Sequence, residues 1–162
     1  MRRKIIIAII FSAFSFALNA QNYTKAIGLR IGFGAGITYK QLFNNKAAFE
    51  LIAAYQYQEK GYTITGLYEI HNYRALGASH LALVYGGGAH FGYYNGGYYK
   101  NRSGIYYEDN APNVGLDVLL GIDYYEPGSA INWGLVIKPM LDFINPGFRF
   151  WDAGLSIRYA FQ

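Results

Sequence analysis

Residues 84–97 read VYGGGAHFGYYNGG, inside an uncharged run from Ala75 to Tyr99. Four readings compete for this stretch: a glycine loop that cradles phosphate, a histidine poised for metal or catalysis, a membrane-crossing helix, or a β-strand. A phosphate loop needs a strand that turns into a helix, but the alternation here runs on to Tyr94. Seven glycines between Ala75 and Tyr99, combined with a period of two, also oppose a helix. Leu81, Leu83, Tyr85, Ala89, Phe91 and Tyr93 share one face, while Gly86, Gly88, His90 and Gly92 share the other. The stretch reads as a strand, and NGG marks where it ends.

The same period governs the rest of the chain past residue 22. IGLRIGF (27–33), ITYK (37–40), AAFELIAAYQYQ (47–58), YTITGLYEIH (62–71), VGLDVLLGIDY (114–124), INWGLVIKPMLDF (131–143) and AGLSIRYAF (153–161) each alternate bulky apolar with small or polar residues. β-Branched and aromatic side chains dominate them, as strands prefer. With 81–93 this makes eight strands and no helix of consequence, an all-β chain without a domain boundary. NNK (44–46), NYRALGAS (72–79) and EPGSA (126–130) form one set of turns. GAG (34–36), EKG (59–61), the long 94–112 segment and INPGFRFW (144–151) form the other, opposite the termini.

Parity does not say which face meets solvent, but charge and size do. Arg30, Lys40, Glu50, Glu69, Asp117, Asp123, Lys138, Asp142 and Arg158 all fall on the face that is otherwise rich in Gly, Ala, Ser and Thr. An eight-stranded barrel has an interior just wide enough for side chains to fill. Small residues and compact ion pairs suit that space, and bulky apolar residues from every strand would crowd it. The apolar face is therefore expected to point outward to lipid, not inward as in a soluble lipocalin-like carrier. Aromatics near the strand ends fit two interfacial girdles: Phe33, Tyr57, Tyr62, Tyr93 and Phe143 on one side, and Phe49, Tyr68, Tyr124, Trp133, Tyr159 and Phe161 nearer the other.

Composition bounds the remaining choices. The 162 residues suit one domain, with 19% aromatic and only 15% charged residues, against about 25% charged in soluble domains. Without Cys there is no disulfide, thiolate metal site, cysteine nucleophile or lipidated cysteine. MRRK followed by IIIAIIFSAFSFA and LNA reads as an export signal cleaved after Ala20, leaving 21–162 as the barrel domain. The apolar core is short for an uncleaved anchor, the alternative, which needs about 20 residues. Removing Arg2, Arg3 and Lys4 leaves eleven bases against ten acids, so the formal +4 largely belongs to the signal. Nothing resembles a nucleic-acid-binding patch.

At the level of whole segments, GLRIGFGAGITYK (28–40), TGLYEIH (65–71), KPMLDFINPG (138–147) and DAGLSIRYAF (152–161) carry a family likeness. The mature chain resembles the OmpX/OmpA-like small outer-membrane β-barrel proteins of Gram-negative bacteria. The resemblance implies an eight-stranded antiparallel up-and-down transmembrane barrel with both termini in the periplasm. It also implies outer-membrane lipid as surroundings and a C-terminal signal, Gly154, Ile157, Tyr159 and Phe161, for the barrel-assembly machinery. The chain departs from that signal by ending in Gln162 after the final aromatic. This fold hosts pores, adhesins, enzymes and structural proteins, so it does not fix activity.

The chemistry candidates are few. Four inward bases face five inward acids, and buried charges persist only when paired, so an interior ion-pair network is expected. It acts as a plug, or alternatively as the gate of a narrow channel. His71, His80 and His90 lack a ligand spacing, and no metal or cofactor is expected. Ser79–His80 raises the alternative of an outer-membrane lipid-modifying enzyme, but no base–orienter chain accompanies it. The 94–112 loop, whose stretch 95–112 holds four Tyr beside Lys100, Arg102, Glu108 and Asp109, suits an extracellular ligand or an extension of the girdle. The sequence therefore points to a non-enzymatic envelope-structural or surface-interaction protein.

Overall fold

Alternation along the chain becomes pairing between strands in the computed structural model, which describes residues 24–44, 46–58, 60–95, 99–100, 106–107, 110–144 and 148–161. The expected signal segment, 1–20, lies outside the described residues. The strands are β1 (Lys25–Gly32), β2 (Gly34–Asn44), β3 (Ala47–Gln56), β4 (Gly61–Asn72), β5 (Leu81–Asn95), β6 (Tyr99–Lys100), β7 (Tyr106–Tyr107), β8 (Asn110–Tyr125), β9 (Ile131–Asp142) and β10 (Phe148–Phe161). Eight of them close into one antiparallel barrel, in which β10 returns to pair with β1 from Lys25↔Phe161 to Gly32↔Gly154. Among the described residues β6 and β7 pair only with each other, in the segment between β5 and β8. Closure gives every barrel strand two neighbours and leaves no open edge.

Because β1 meets β10, Lys25 and Phe161 lie at the same end of the barrel, here the terminus end. Short turns close that end. Asn44 Oδ1 accepts from the Lys46 and Ala47 amides, both at 2.8 Å, and Asn72 Oδ1 accepts from the Arg74 and Ala75 amides, both at 3.1 Å. Such side-chain turns are the ordinary use of Asn between strands. Gly128, at φ 77°, supplies the left-handed residue of the β8–β9 turn. The segment that carries β6 and β7 lies at the opposite, loop end.

Several strand limits differ from the sequence reading. GAG (34–36) is not a turn but the start of β2, leaving only Phe33 between β1 and β2. β8 begins at Asn110 instead of Val114, and β10 at Phe148 instead of Ala153. Asn110, Pro112 and Asn113 are poor strand formers that hide the periodicity. Pairing with β5, as in Tyr93↔Pro112 and Asn95↔Asn110, overrides their local preference. A register shift between Arg149 and Asp152 similarly masks the start of β10.

The two faces of the wall differ sharply. Leu29, Ile37, Val118 and Leu135 are all more than half exposed on the outside. Aromatic pairs reinforce that surface across strands: Phe49↔Tyr68, Tyr62↔Tyr93 and Tyr124↔Trp133, with the Tyr55 and Tyr62 rings edge-on at 5.1 Å. The inner face holds the charges together with an apolar layer that includes Ile52, Leu67, Leu119 and Val136. Small residues alone therefore do not fill the lumen, because several inward positions carry branched side chains.

Candidate functional site

All nine charged residues singled out by parity point into the barrel, and none is more than 5% exposed. Among the described residues their ion pairs fall into two sets that share no member. The terminus-side set centres on Lys40 and Arg158. Lys40 Nζ lies 2.8 Å from Glu69 Oε2, 2.8 Å from Asp123 Oδ2 and 3.6 Å from Glu50 Oε2. Arg158 reaches Glu50 Oε1 at 2.5 Å, Asp123 Oδ1 at 3.3 Å and Asn132 Oδ1 at 2.8 Å. The Thr38 hydroxyl donates to Glu50.

The loop-side set is built on Lys138, His90 and a residue that the sequence reading missed. Lys138 Nζ lies 3.1 Å from Asp117 and 3.6 Å from Asp152, and Asp152 also pairs with Arg30 at 3.5 Å. Asp152 shares the inward parity of Gly154, Ser156 and Arg158, and extending β10 one residue backward would have found it. His90 bridges β8 and β9, with Nδ1 3.1 Å from Asp117 Oδ2 and Nε2 2.9 Å from Asp142 Oδ1 and 3.1 Å from Asn113 Oδ1.

The register explains why the sets stay apart. Ile52 and Leu67 lie one inward position loopward of Glu50 and Glu69, and Leu119 and Val136 lie one inward position terminus-ward of Asp117 and Lys138. These four apolar side chains separate the two charged layers. Glycines make room for the long side chains beside them. A Cβ at Gly134 would lie 2.7 Å from both Arg158 Nη1 and Asp123 Oδ1, and one at Gly154 would lie 2.7 Å from Arg30 Nη2.

Glu69, His71 and Asp123 bring ligand-type atoms within 4.8 Å of one another. The Lys40 ammonium already contacts both carboxylates at 2.8 Å, so a tethered cation occupies the position a metal would take. Ser79 and His80 are exposed in the β4–β5 turn, whereas His90 lies inside the barrel, away from the outer surface. Tyr73, in the same turn, stands over the terminus-side set. Burial, and then the Asp123 carboxylate, push its phenol above the ordinary value. Gly154 faces inward on β10, while Ile157 and Phe161 face outward and Tyr159 is half-buried. Of the 94–112 loop, only 94–95, 99–100, 106–107 and 110–112 lie among the described residues.

No family model and no curated protein matches the chain in sequence. Among solved structures, the N-terminal β-barrel domain of Pseudomonas aeruginosa OprF matches with a TM-score of 0.65. The match covers 87% of this chain and all of that one at 11% identity, a likeness of fold alone. The chain is thus a closed eight-stranded antiparallel barrel with the fold of the small OmpA-like barrels.

Proposed function

We propose that the chain is an integral outer-membrane β-barrel protein with a non-enzymatic, envelope-structural or surface-interaction role and a plugged polar interior. The observation that carries this reading is the inversion of its two faces. Lys40, Glu69 and Arg158 are 0% exposed inside, while Leu29 and Val118 are 64% and 63% exposed outside. Moving each large apolar side chain from water to hydrocarbon is worth about 1.5–3 kcal/mol, so an outer surface of this composition favours lipid. Closure supports the same reading, since a sheet can cross hydrocarbon only when every backbone group is paired.

In this reading the termini are periplasmic and the loop end faces outward. Gly154, Ile157, Tyr159 and Phe161 on β10 are read by the barrel-assembly machinery, and the 94–112 loop offers the surface for an extracellular ligand. Heat-dependent gel migration and detergent-dependent extraction from the envelope fraction test the membrane assignment. The expected result is release by detergent alone and faster migration before boiling. Release by a salt wash, with identical migration before and after boiling, would point instead to a soluble carrier.

A further inference from the structure

The two charged layers differ in their proton count. On the loop side Arg30, Lys138 and His90 face Asp117, Asp142 and Asp152. Both ring nitrogens of His90 lie on carboxylates, which only accept, so both must carry a hydrogen, and only the imidazolium has two N–H donors. Among the described residues that layer sets three positive charges against three negative ones.

On the terminus side, among the described residues, Lys40 and Arg158 face Glu50, Glu69 and Asp123, one positive charge too few. His71 completes this set but makes a different contact from His90. Its Nε2 lies 3.1 Å from Glu69 Oε2, one carboxylate contact at hydrogen-bond distance where His90 has two. Its Nδ1 faces Asp123 Oδ2 at 3.9 Å and has no hydrogen-bond partner, although the residue is only 3% exposed. A bare ring nitrogen aimed at a carboxylate oxygen sets two lone pairs against each other in a buried site.

We propose that His71 is a reversible proton-binding site and works as a latch across the terminus end of the lumen. A proton from water adds to Nδ1 and the ring becomes imidazolium. The contact with Asp123 then becomes a charge-assisted N–H···O bond, and the layer reaches balance. This bond joins β4 to β8 across the intervening β5, so it ties together strands that do not pair. His71 meets Glu69 on its own strand, Tyr73 in the turn after it and Asp123 on β8. Those carboxylates in turn hold Lys40 from β2 and Arg158 from β10, which both pair with Glu50 from β3. Lys40 competes with the new bond, because its ammonium already holds Asp123 Oδ2. Proton uptake frees it to close on Glu50 from its present 3.6 Å.

The test is nitrogen NMR of the full chain folded in detergent micelles, with 15N-labelled histidine, between about pH 8 and about pH 5. His71→Gln and His90→Gln identify the signals, and through-bond correlation in the unaltered chain identifies them if either variant fails to fold. The His71 Nδ1 resonance is expected to move from the range of a bare ring nitrogen to that of an N–H nitrogen on acidification. Both His90 nitrogens should stay in the N–H range throughout. A His71 ring that keeps one form across the range overturns the proposal. So does a protonated-carboxyl infrared band at the higher pH that Glu69→Gln abolishes, because the missing charge would then be balanced on Glu69.

Discussion

Arg158 shows what the interior demands of a single residue. Its guanidinium is fully buried, with Glu50 at 2.5 Å, Asp123 at 3.3 Å and Asn132 at 2.8 Å. Taking such charges out of water is costly, and the pairs repay that cost only when they are complete. Arg158→Ala leaves Glu50 and Asp123 with Lys40 as their main counter-charge, so unfolding in urea should show a loss of about 3–5 kcal/mol. Arg30→Ala removes one 3.5 Å pair, and its partner Asp152 keeps Lys138 at 3.6 Å, so the loss should be clearly smaller. Equal losses would contradict this ranking. At this scale the sequence was informative about direction: a period of two places every one of the nine charges on the inward face. It was silent about partners, because a partner depends on the height of each residue along the barrel, which the register sets. Asp152 escaped for the opposite reason, since the register shift after Arg149 hides the beginning of its strand.

β8 carries the argument at the scale of an element. Val118 and Leu119 are adjacent, yet one is 63% exposed outside and the other 1% exposed within the apolar layer. Side chains alternate across a strand, so neighbours of similar hydrophobicity can meet opposite surroundings. Leu119, Val136 and Met140 were therefore not legible as lumen residues from hydrophobicity, only from parity. Their strands could be drawn correctly while the apolar layer between the charged sets stayed unseen. Val118→Arg tests what the outer face touches. In a lipid bilayer the barrel should lose about 2–4 kcal/mol of folding stability, the cost of arginine near the midplane. On a water-facing surface the same change should stay within about 0.5 kcal/mol. Unfolding equilibria in lipid vesicles distinguish the two outcomes.

For the whole molecule, the stacking of layers decides whether the lumen conducts. From the terminus end the lumen passes the set around Lys40 and Arg158, then Ile52, Leu67, Leu119 and Val136, then the set around Lys138 and His90. The three layers close the lumen by two means: paired charges offer an ion no free ligand, and branched apolar side chains offer it no hydration. A gate, by contrast, needs one movable element whose opening clears the whole path. The layered arrangement therefore predicts that the unaltered barrel shows no stable conductance in a planar bilayer. Lys138→Ala alone, Leu119→Ala alone or Lys40→Met alone should leave it silent, because two closed layers remain in each case. The three substitutions combined should produce discrete conductance steps, provided that heat-dependent gel migration shows the barrel still folded. A stable open level from Lys138→Ala alone would make the loop-side set the sole barrier. That result would favour a narrow channel over a plugged structural barrel.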